Sequence, residues 1–442
     1  MTELSKSEAD GLKAAVERHI FRHGGAMAPY LGVKAKGSYI YDEDGRAILD
    51  FCSGQMCATL GHNHPAVVEA IEASCREVIH LFSGVMSPPV ARLAEALAEI
   101  LPEGLERMMF LSTGGESNEA ALRMAKLKTE GFEVLALTGS WHGQTAGAAS
   151  STYNGGRRGY GPTLPGSMAL PGPNCYHCPV RHCRDACDMT CLEVGFQVYD
   201  SQSVGAPAAV IAEPIQSSAG VIVPPEGYFK RLKELCEERG LLLILDEAQT
   251  GLGRVGANFA FEQAGIVPDV LTLSKTLGNG VPLSATITSD EIEAACHDKA
   301  FLFYTSHLAD PMPAAAGVAV LRVLKEERLA ERAAELGEYF MAGLRDLQQR
   351  YECLGDVRGR GLLIGLEVVR DRESRASDRA LAAAFQRRCL ELGMVLHAVR
   401  ADFQSTLRMA PPLTASREEI DSGMAILDQA FRDTLERRAK AG

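Results

Sequence analysis

Six apolar runs, separated by helical patterns, constrain this chain more than any other feature. They are RMMFLST, FEVLALTG, PAAVIAEP, LLLILDEA, DVLTLSK and LSATITS, and between them lie segments such as ESNEAALRMAKLKTE and GYFKRLKELCEERG. Strands that are apolar at successive positions have no water-facing side. With amphipathic helices between them they build a mostly parallel sheet covered on both faces, so the class is α/β. No period of 20–50 residues recurs, which excludes a solenoid. The large domain is expected over residues 61–325.

A second, small α+β domain is expected over 326–442. LAERAAELGEYFMAGLRDLQQRY, SDRALAAAFQRRCLELG and REEIDSGMAILDQAFRDTLERRA carry helical spacing, whereas VRGRGLLIGLEVV, MVLHAV and TLRMAP each read as one strand. Residues 1–60 hold an amphipathic helix and a two-stranded element, GSYIYDEDGRAILDF, turned at DEDG, and are assigned to the small domain.

The formal net charge of −12 argues against a broad nucleic-acid or anionic-membrane surface. No run of about 18 apolar residues is present, so no membrane span is expected. The charged first twenty residues lack the apolar core of a signal peptide, and a cytoplasmic location is the default. Of the 12 cysteines, Cys52, Cys57, Cys75, Cys236, Cys296, Cys353 and Cys389 are scattered and read as reduced core thiols.

Chemistry concentrates where strands end. LLLILDEAQTG runs five apolar residues into Asp246, at the carboxyl end of a buried strand, where α/β sheets bind ligands. LTLSKTLG does the same for Lys275. Alone, Asp246 reads equally as a helix cap and Lys275 as a solvated edge residue. Together, a Schiff-base lysine and an aspartate for a pyridinium nitrogen are the recurring parts of a pyridoxal-phosphate site. STGGESNEAALRMAK adds a phosphate cradle at Thr113, Gly114 and Gly115, because open N–H groups at a helix N-terminus favour an anion. In GSWHG, Trp141 offers an aromatic ring to stack on a planar cofactor, with His142 beside it; the alternative is a core aromatic.

In this order and spacing DEAQTGLGR, SKTLGNG, STGGESNEAA and GSWHG resemble the fold-type I, class III aminotransferases over nearly the whole chain. The resemblance implies a large domain with a mixed, mostly parallel seven-stranded sheet, a small domain, and a dimer with active sites at the interface. SGQM, HLFSG, FYTSH, GDVRGRGLL and RMAPPLT resemble, more narrowly, the 2,2-dialkylglycine decarboxylases. That resemblance gives Gln55 the substrate carboxylate, placed so that the bond to it stands perpendicular to the cofactor ring and breaks. Lys275 is implied as the Schiff-base and proton-transfer group, Asp246 as the partner of the ring nitrogen, and Gln249 as that of the ring hydroxyl. Ser306 is implied as a hydroxyl from the neighbouring subunit and Arg408 as the carboxylate ligand in the transamination half-reaction. Glu213 and Ser218 would line the pocket, with Met56 and Tyr304 shaping side-chain subsites. An alkali cation, Na⁺ or K⁺, is implied at Leu81, Ser83, Ser306, Leu308 and Asp310, an all-oxygen set suited to a hard ion. Ser306 stands where the family pattern has threonine.

PNCYHCPVRHCRDACDMTC does not belong to that pattern. It places Cys175, Cys178, Cys183, Cys187 and Cys191 beside His177 and His182. Zinc or an iron–sulfur cluster, disulfide or redox chemistry, and packed reduced thiols all remain open.

The leading expectation is a decarboxylation-dependent aminotransferase acting on small amino and keto acids, 2-aminoisobutyrate with pyruvate, as a homodimer or a tetramer of dimers. A plain aminotransferase, lyase or racemase on the same scaffold is the alternative. A non-catalytic module using the cysteine loop as a contact surface is the third reading.

Overall fold

The computed structural model describes residues 4–24, 27–155, 159, 161–178, 180, 187–399 and 405–441. All six apolar runs are strands of one sheet: Arg107–Leu111 (β1), Glu133–Leu137 (β2), Pro207–Ala212 (β4), Leu242–Asp246 (β5), Val270–Leu273 (β6) and Ser284–Thr288 (β7). The seventh, Ser167–Leu170 (β3), is an edge strand with only its last residue buried, so it lacks the continuous apolar signature of the others. The order is β1-β7-β6-β5-β4-β2-β3, with β7 antiparallel to both neighbours and the remaining pairs parallel.

Alternation along the strands feeds two separate cores. Leu135, Leu137, Val210, Leu243, Leu245 and Leu271 face one layer of helices. Val134, Ala136, Ala209, Ile211, Ile244 and Val270 face the other, where Ala121, Leu122 and Ala125 of the helix Gly114–Thr129 pack on them. This is the period of two with both faces buried that the sequence patterning requires.

The C-terminal segments differ from the expectation in two places. VRGRGLLIGLEVV is a hairpin rather than one strand: Leu354–Arg360 pairs antiparallel with Leu363–Val368. It turns at Gly361, whose φ is +52° and where a Cβ would stand 2.6 Å from the Arg254 carbonyl oxygen. MVLHAV is split between two sheets. Met394–Val395 pairs parallel with Ala47–Asp50, and His397–Val399 pairs antiparallel with Thr406–Met409. A bilaterally apolar run carries no mark of which sheet each half will join.

The N-terminal helix Lys6–His19 forms behind a Ser5–Glu8 capping box. Tyr39–Tyr41 and Ala47–Asp50 pair across the expected turn, closed by Gly45 N–H to Asp42 O (3.0 Å). Leu49 and Phe51 are buried in the same core as Phe340, Leu366, Phe385 and Phe431, so the first strands share their core with the C-terminal region. Among the scattered cysteines Cys236, Cys296 and Cys389 are buried, whereas Cys75 faces solvent from the helix Pro65–Glu77. Among the described residues no helix is long and apolar enough to cross a membrane.

Arg254 joins the pieces. It is 1% exposed; its Nη1 donates to the carbonyl oxygens of Leu362 (3.1 Å) and Pro411, and its Nη2 to Thr59 Oγ1 (3.3 Å). Leu362 N–H donates back to the Arg254 carbonyl (3.0 Å). Removing the guanidinium strands buried acceptors in three segments, and each bond to a charged donor contributes roughly 1.5–3 kcal/mol. Arg254→Met should therefore lower the unfolding free energy by about 3–5 kcal/mol in urea titrations. A loss below ~1 kcal/mol would show that the clamp is not a principal tie.

Candidate active site

Asp246 ends β5 with its carboxylate buried. Asn118 Nδ2 donates to Asp246 Oδ2 (2.8 Å), His142 Nδ1 lies 2.8 Å from the same oxygen, and Ala248 N–H donates to Oδ1 (3.1 Å). The carboxylate only accepts, so His142 carries a proton on Nδ1. Among the described residues its buried Nε2 has no hydrogen-bond partner. Burial pushes the Asp246 pKa up, but His142, Lys275 and Asn118 outweigh it and hold the carboxyl below its ordinary value.

Lys275 follows β6 and opens the short turn Lys275–Gly278 with φ +47°. Burial lowers its ammonium pKa against the opposing pull of Asp246, which favours the neutral amine a Schiff base needs. Gly114 and Gly115 begin the helix Gly114–Thr129, capped by the Thr113 side chain, which accepts from Glu116 N–H (3.3 Å). Backbone approaches closely here. A Cβ on Gly114 would meet Ser274 Oγ at 2.9 Å, and one on Gly143 would meet Gly115 Cα at 2.8 Å.

These groups line one cavity of about 320 Å³: Lys275 and Asp246 at the strand ends, Thr113, Gly114 and Gly115 at the helix start, and Trp141, His142, Gln249 and Glu213 around them. The donor set suits pyridoxal phosphate. It joins a glycine cradle at a helix N-terminus, a carboxylate held charged for a pyridinium nitrogen, a lysine of lowered pKa and an aromatic face.

A second cavity of about 460 Å³ shares Trp141, Gln249 and Lys275 and adds Gln55, Met56, Ser218 and Arg408. Gln55 sits in the tight turn Ser53–Met56, whose backbone is not helical: Ser53, Gly54 and Met56 have φ of +47°, +63° and +61°. The turn is anchored by Asp50, which accepts from Cys52 N–H (2.8 Å) and Gly54 N–H (2.6 Å), and by Ser53 Oγ, which donates to Ala410 O (2.7 Å). Met56 is buried against Ile215 and Leu363, its sulfur accepting from Ser217 Oγ (3.8 Å). Arg408 Nη1 donates to Ser217 Oγ (3.2 Å) and Gln249 Oε1 (3.4 Å), and Gln249 Nε2 donates to Ser218 Oγ (3.4 Å).

Tyr304 and Ser306 are not among the residues lining either cavity. They lie on an exposed segment, where Ser83 Oγ donates to the Tyr304 hydroxyl (2.9 Å) and the rings of Phe82 and Tyr304 stand 6.5 Å apart. Near the expected cation donors, the two oxygens of Asp310 are each engaged by an imidazole, His80 Nδ1 (2.6 Å) and His307 Nδ1 (2.6 Å). Of the other expected donors, Leu81, Ser83 and Leu308 are partly buried and Ser306 is exposed. His182 and Cys183 lie outside the described residues.

Sequence reasoning missed Asn118 as the second partner of Asp246. Thr272 Oγ1 orients it by donating to Asn118 Oδ1 (2.7 Å). The available signal was its place on the first turn of the helix that starts at the cradle. It also missed His397, which faces Arg408 across two paired strands and lines the cavity that holds Gln55.

Glu213 is fully buried, which, with Asp246 nearby, raises its carboxyl pKa from 4.5 to about 7 against the opposing effect of the Trp141 N–H it accepts from (2.9 Å). Between those values the native state binds more protons than the unfolded chain, so stability falls as pH rises through that window, by on the order of 3 kcal/mol. Glu213→Gln keeps the acceptor and removes the titration. In urea titrations of cofactor-free protein, the variant should gain on the parent from pH 4.5 to 7 and hold that gain above it; a difference independent of pH refutes this.

The family model for class III aminotransferases matches residues 20–431. The chain is 49% identical over 419 residues to an uncharacterized aminotransferase of Schizosaccharomyces pombe, covering 94% of each chain. It is 37% identical over 421 residues to the leucine/methionine racemase of Thermococcus litoralis, covering 93% of this chain and 92% of that one. The structure of a PLP-bound amine transaminase from an uncultivated Pseudomonas species is similar, with TM-score 0.88, 31% identity, and coverage of 94% of this chain and 99% of that one. The chain belongs to the class III aminotransferase family, as a fold-type I enzyme with pyridoxal phosphate for its cofactor.

Proposed function

We propose that this enzyme catalyses decarboxylation-dependent transamination of 2,2-dialkylglycines such as 2-aminoisobutyrate, with pyruvate as amino acceptor, yielding carbon dioxide, a ketone and L-alanine. The observation that carries the reading is Gln55, a neutral amide sharing one cavity with Lys275 and Arg408. A quaternary α-carbon has no hydrogen to lose, so the bond to the carboxylate is the one available for cleavage. Bound pyridoxal phosphate supplies an electron sink for the pair that bond leaves behind.

The protein's part is to hold and orient. With the cofactor bound, Gly114 and Gly115 would hold its phosphate, Trp141 would cover a ring face, and Gln249 would be the partner of the ring hydroxyl. Asp246, kept charged by His142 and Asn118, retains the proton on the ring nitrogen. Gln55 would hold the substrate carboxylate and orient the bond to be broken, without the charge stabilisation an arginine would add. Lys275 Nζ carries the proton that replaces it, and Arg408 holds the carboxylate of the keto acid. Ser218, Glu213, Met56 and Tyr304 shape the side-chain subsites.

Tyr304 and Ser306 reach the site from a second copy in this reading, which supports a homodimer or a tetramer of dimers. The exposed apolar side chains of Phe82, Val85, Met86 and Leu302 on the neighbouring segments fit burial against that copy. An alkali cation at Leu81, Ser83, Ser306, Leu308 and Asp310 would order these segments, in a cytoplasmic enzyme.

The similarity to a leucine/methionine racemase favours a second reading, in which the same cavity serves proton exchange or plain amino transfer on ordinary amino acids. Carbon dioxide release from carboxyl-labelled 2-aminoisobutyrate with pyruvate separates the two. The proposal expects release from the parent and a fall of about 100-fold in Gln55→Ala, with the cofactor absorption band retained. Amino transfer or racemisation without release sinks the decarboxylase reading.

A further inference from the structure

Gln55 and Lys275 reach the substrate cavity from two turns whose backbone is left-handed at residues other than glycine. Ser53 and Met56, on either side of Gln55, have φ of +47° and +61°; Lys275, and Asn279 just after its turn, have φ of +47° and +43°. Such conformations are sparsely populated and persist where surrounding contacts over-determine them. Those contacts come here from one short segment between the turns, residues 59–62.

His62 serves the turn of Gln55. Its Nε2 lies 2.8 Å from Asp50 Oδ2, the oxygen that also accepts from Gly54 N–H (2.6 Å). The Asp50 side chain is 1% exposed and its carboxylate only accepts, so His62 Nε2 carries a proton and donates. The imidazole lies beside the turn, since a Cβ on Gly54 would stand 3.8 Å from His62 Cε1. The His62 backbone is fixed separately, donating to Gly37 O (2.8 Å) and accepting from Gly37 N–H (3.0 Å). Asp50 thus holds the Gln55 turn through two amides, and His62 holds Asp50 from a position set by another strand pair.

Asn279 serves the turn of Lys275. Its Oδ1 accepts from Leu60 N–H (2.8 Å) and its Nδ2 donates to Gly61 O (3.2 Å). Beside it, the Thr276 and Thr59 hydroxyl oxygens are 2.9 Å apart. Thr59, Thr276 and Asn279 are all buried, and buried polar networks with their partners in place rigidify what they join. The relay therefore runs from the Lys275 turn through Asn279 to residues 60–61, and through His62 and Asp50 to the Gln55 turn. Asp50, His62 and Asn279 are not among the residues lining either cavity.

We propose that His62 and Asn279 are positioning residues that register Gln55 against Lys275. This rests on the reading that Gln55 takes the substrate carboxylate. A carboxylate held at one turn must meet an amine carried on the other, and a misplacement of about 1 Å can cost on the order of 100-fold in rate.

The test uses holoenzyme of His62→Ala, of His62→Gln, which keeps a donor, and of Asn279→Gly. The last removes both side-chain bonds and leaves a residue at ease in the left-handed conformation. Hydrogen exchange read by mass spectrometry needs no turnover. His62→Ala should speed exchange over residues 51–57 and Asn279→Gly over 59–62, with the helix Gly114–Thr129 and the cofactor absorption unchanged. Turnover is read as carbon dioxide release from 2-aminoisobutyrate or, if the parent releases none, as amino transfer from L-alanine. His62→Ala should lower kcat/KM by about 10- to 100-fold, and His62→Gln should restore most of it. In a Gln55→Ala background the same His62→Ala change should cost less than about twofold, because it acts through Gln55. Losses that add, exchange that rises throughout the chain, or a His62→Ala variant with parental exchange and turnover each overturn the proposal. A parent without carbon dioxide release sinks the decarboxylase reading alone, since the comparison between variants is then made on amino transfer.

Discussion

A carboxylate held charged inside a dry sheet end is the interaction on which the rest of the site depends. Burial alone pushes the Asp246 pKa up. His142 and Asn118 prevent this from two different elements, and Thr272 on β6 fixes the orientation of Asn118. Asn118 belongs to the helix Gly114–Thr129, whose first residues line the same cavity as Lys275 and Asp246. One helix thus ties Gly114 and Gly115 to the Asp246 carboxylate, and its packing on the sheet through Ala121 and Ala125 transmits the accuracy of the core to the site. Small residues on that face let the helix approach closely, and the core resists displacement because interiors are close-packed.

The substrate side is assembled by a different principle. Gln55 and Arg408 come from opposite ends of the chain and share a cavity because Ala47–Asp50 lies beside Met394–Val395 while Ser53 is bonded to Ala410. Arg254, three residues after the glycine of the DEAQTG motif, ties this arrangement to the large domain by reaching Thr59, Leu362 and Pro411. The chain ends thereby line one side of the pocket, and residues at the strand ends of the large sheet line the other.

Much of this was legible beforehand. Six strands of the large sheet declared themselves because both of their faces are buried. Asp246 and Lys275 declared themselves because a charged residue directly after an apolar strand is conspicuous. The edge strand Ser167–Leu170 was missed for the converse reason: one neighbour and little burial leave it no apolar run. The hairpin at Gly361 was read as one strand because its turn is made by a glycine meeting Arg254 and Gly256, residues far away in sequence. Asn118 and His397 were passed over because an asparagine in a first helical turn and a histidine on a strand have ordinary local explanations.

The sequence by itself determined the parallel α/β sheet, the positions of the lysine, the aspartate and the glycine cradle, and the unusual density of thiols in one loop. Each is written in local periodicity or in a run of adjacent residues. Only the tertiary structure decided which partners keep Asp246 charged, how MVLHAV divides between two sheets, and that Gln55 meets Arg408 beside Lys275. Those outcomes rest on contacts between segments remote in sequence, whose geometry is set by how the packed layers fit together.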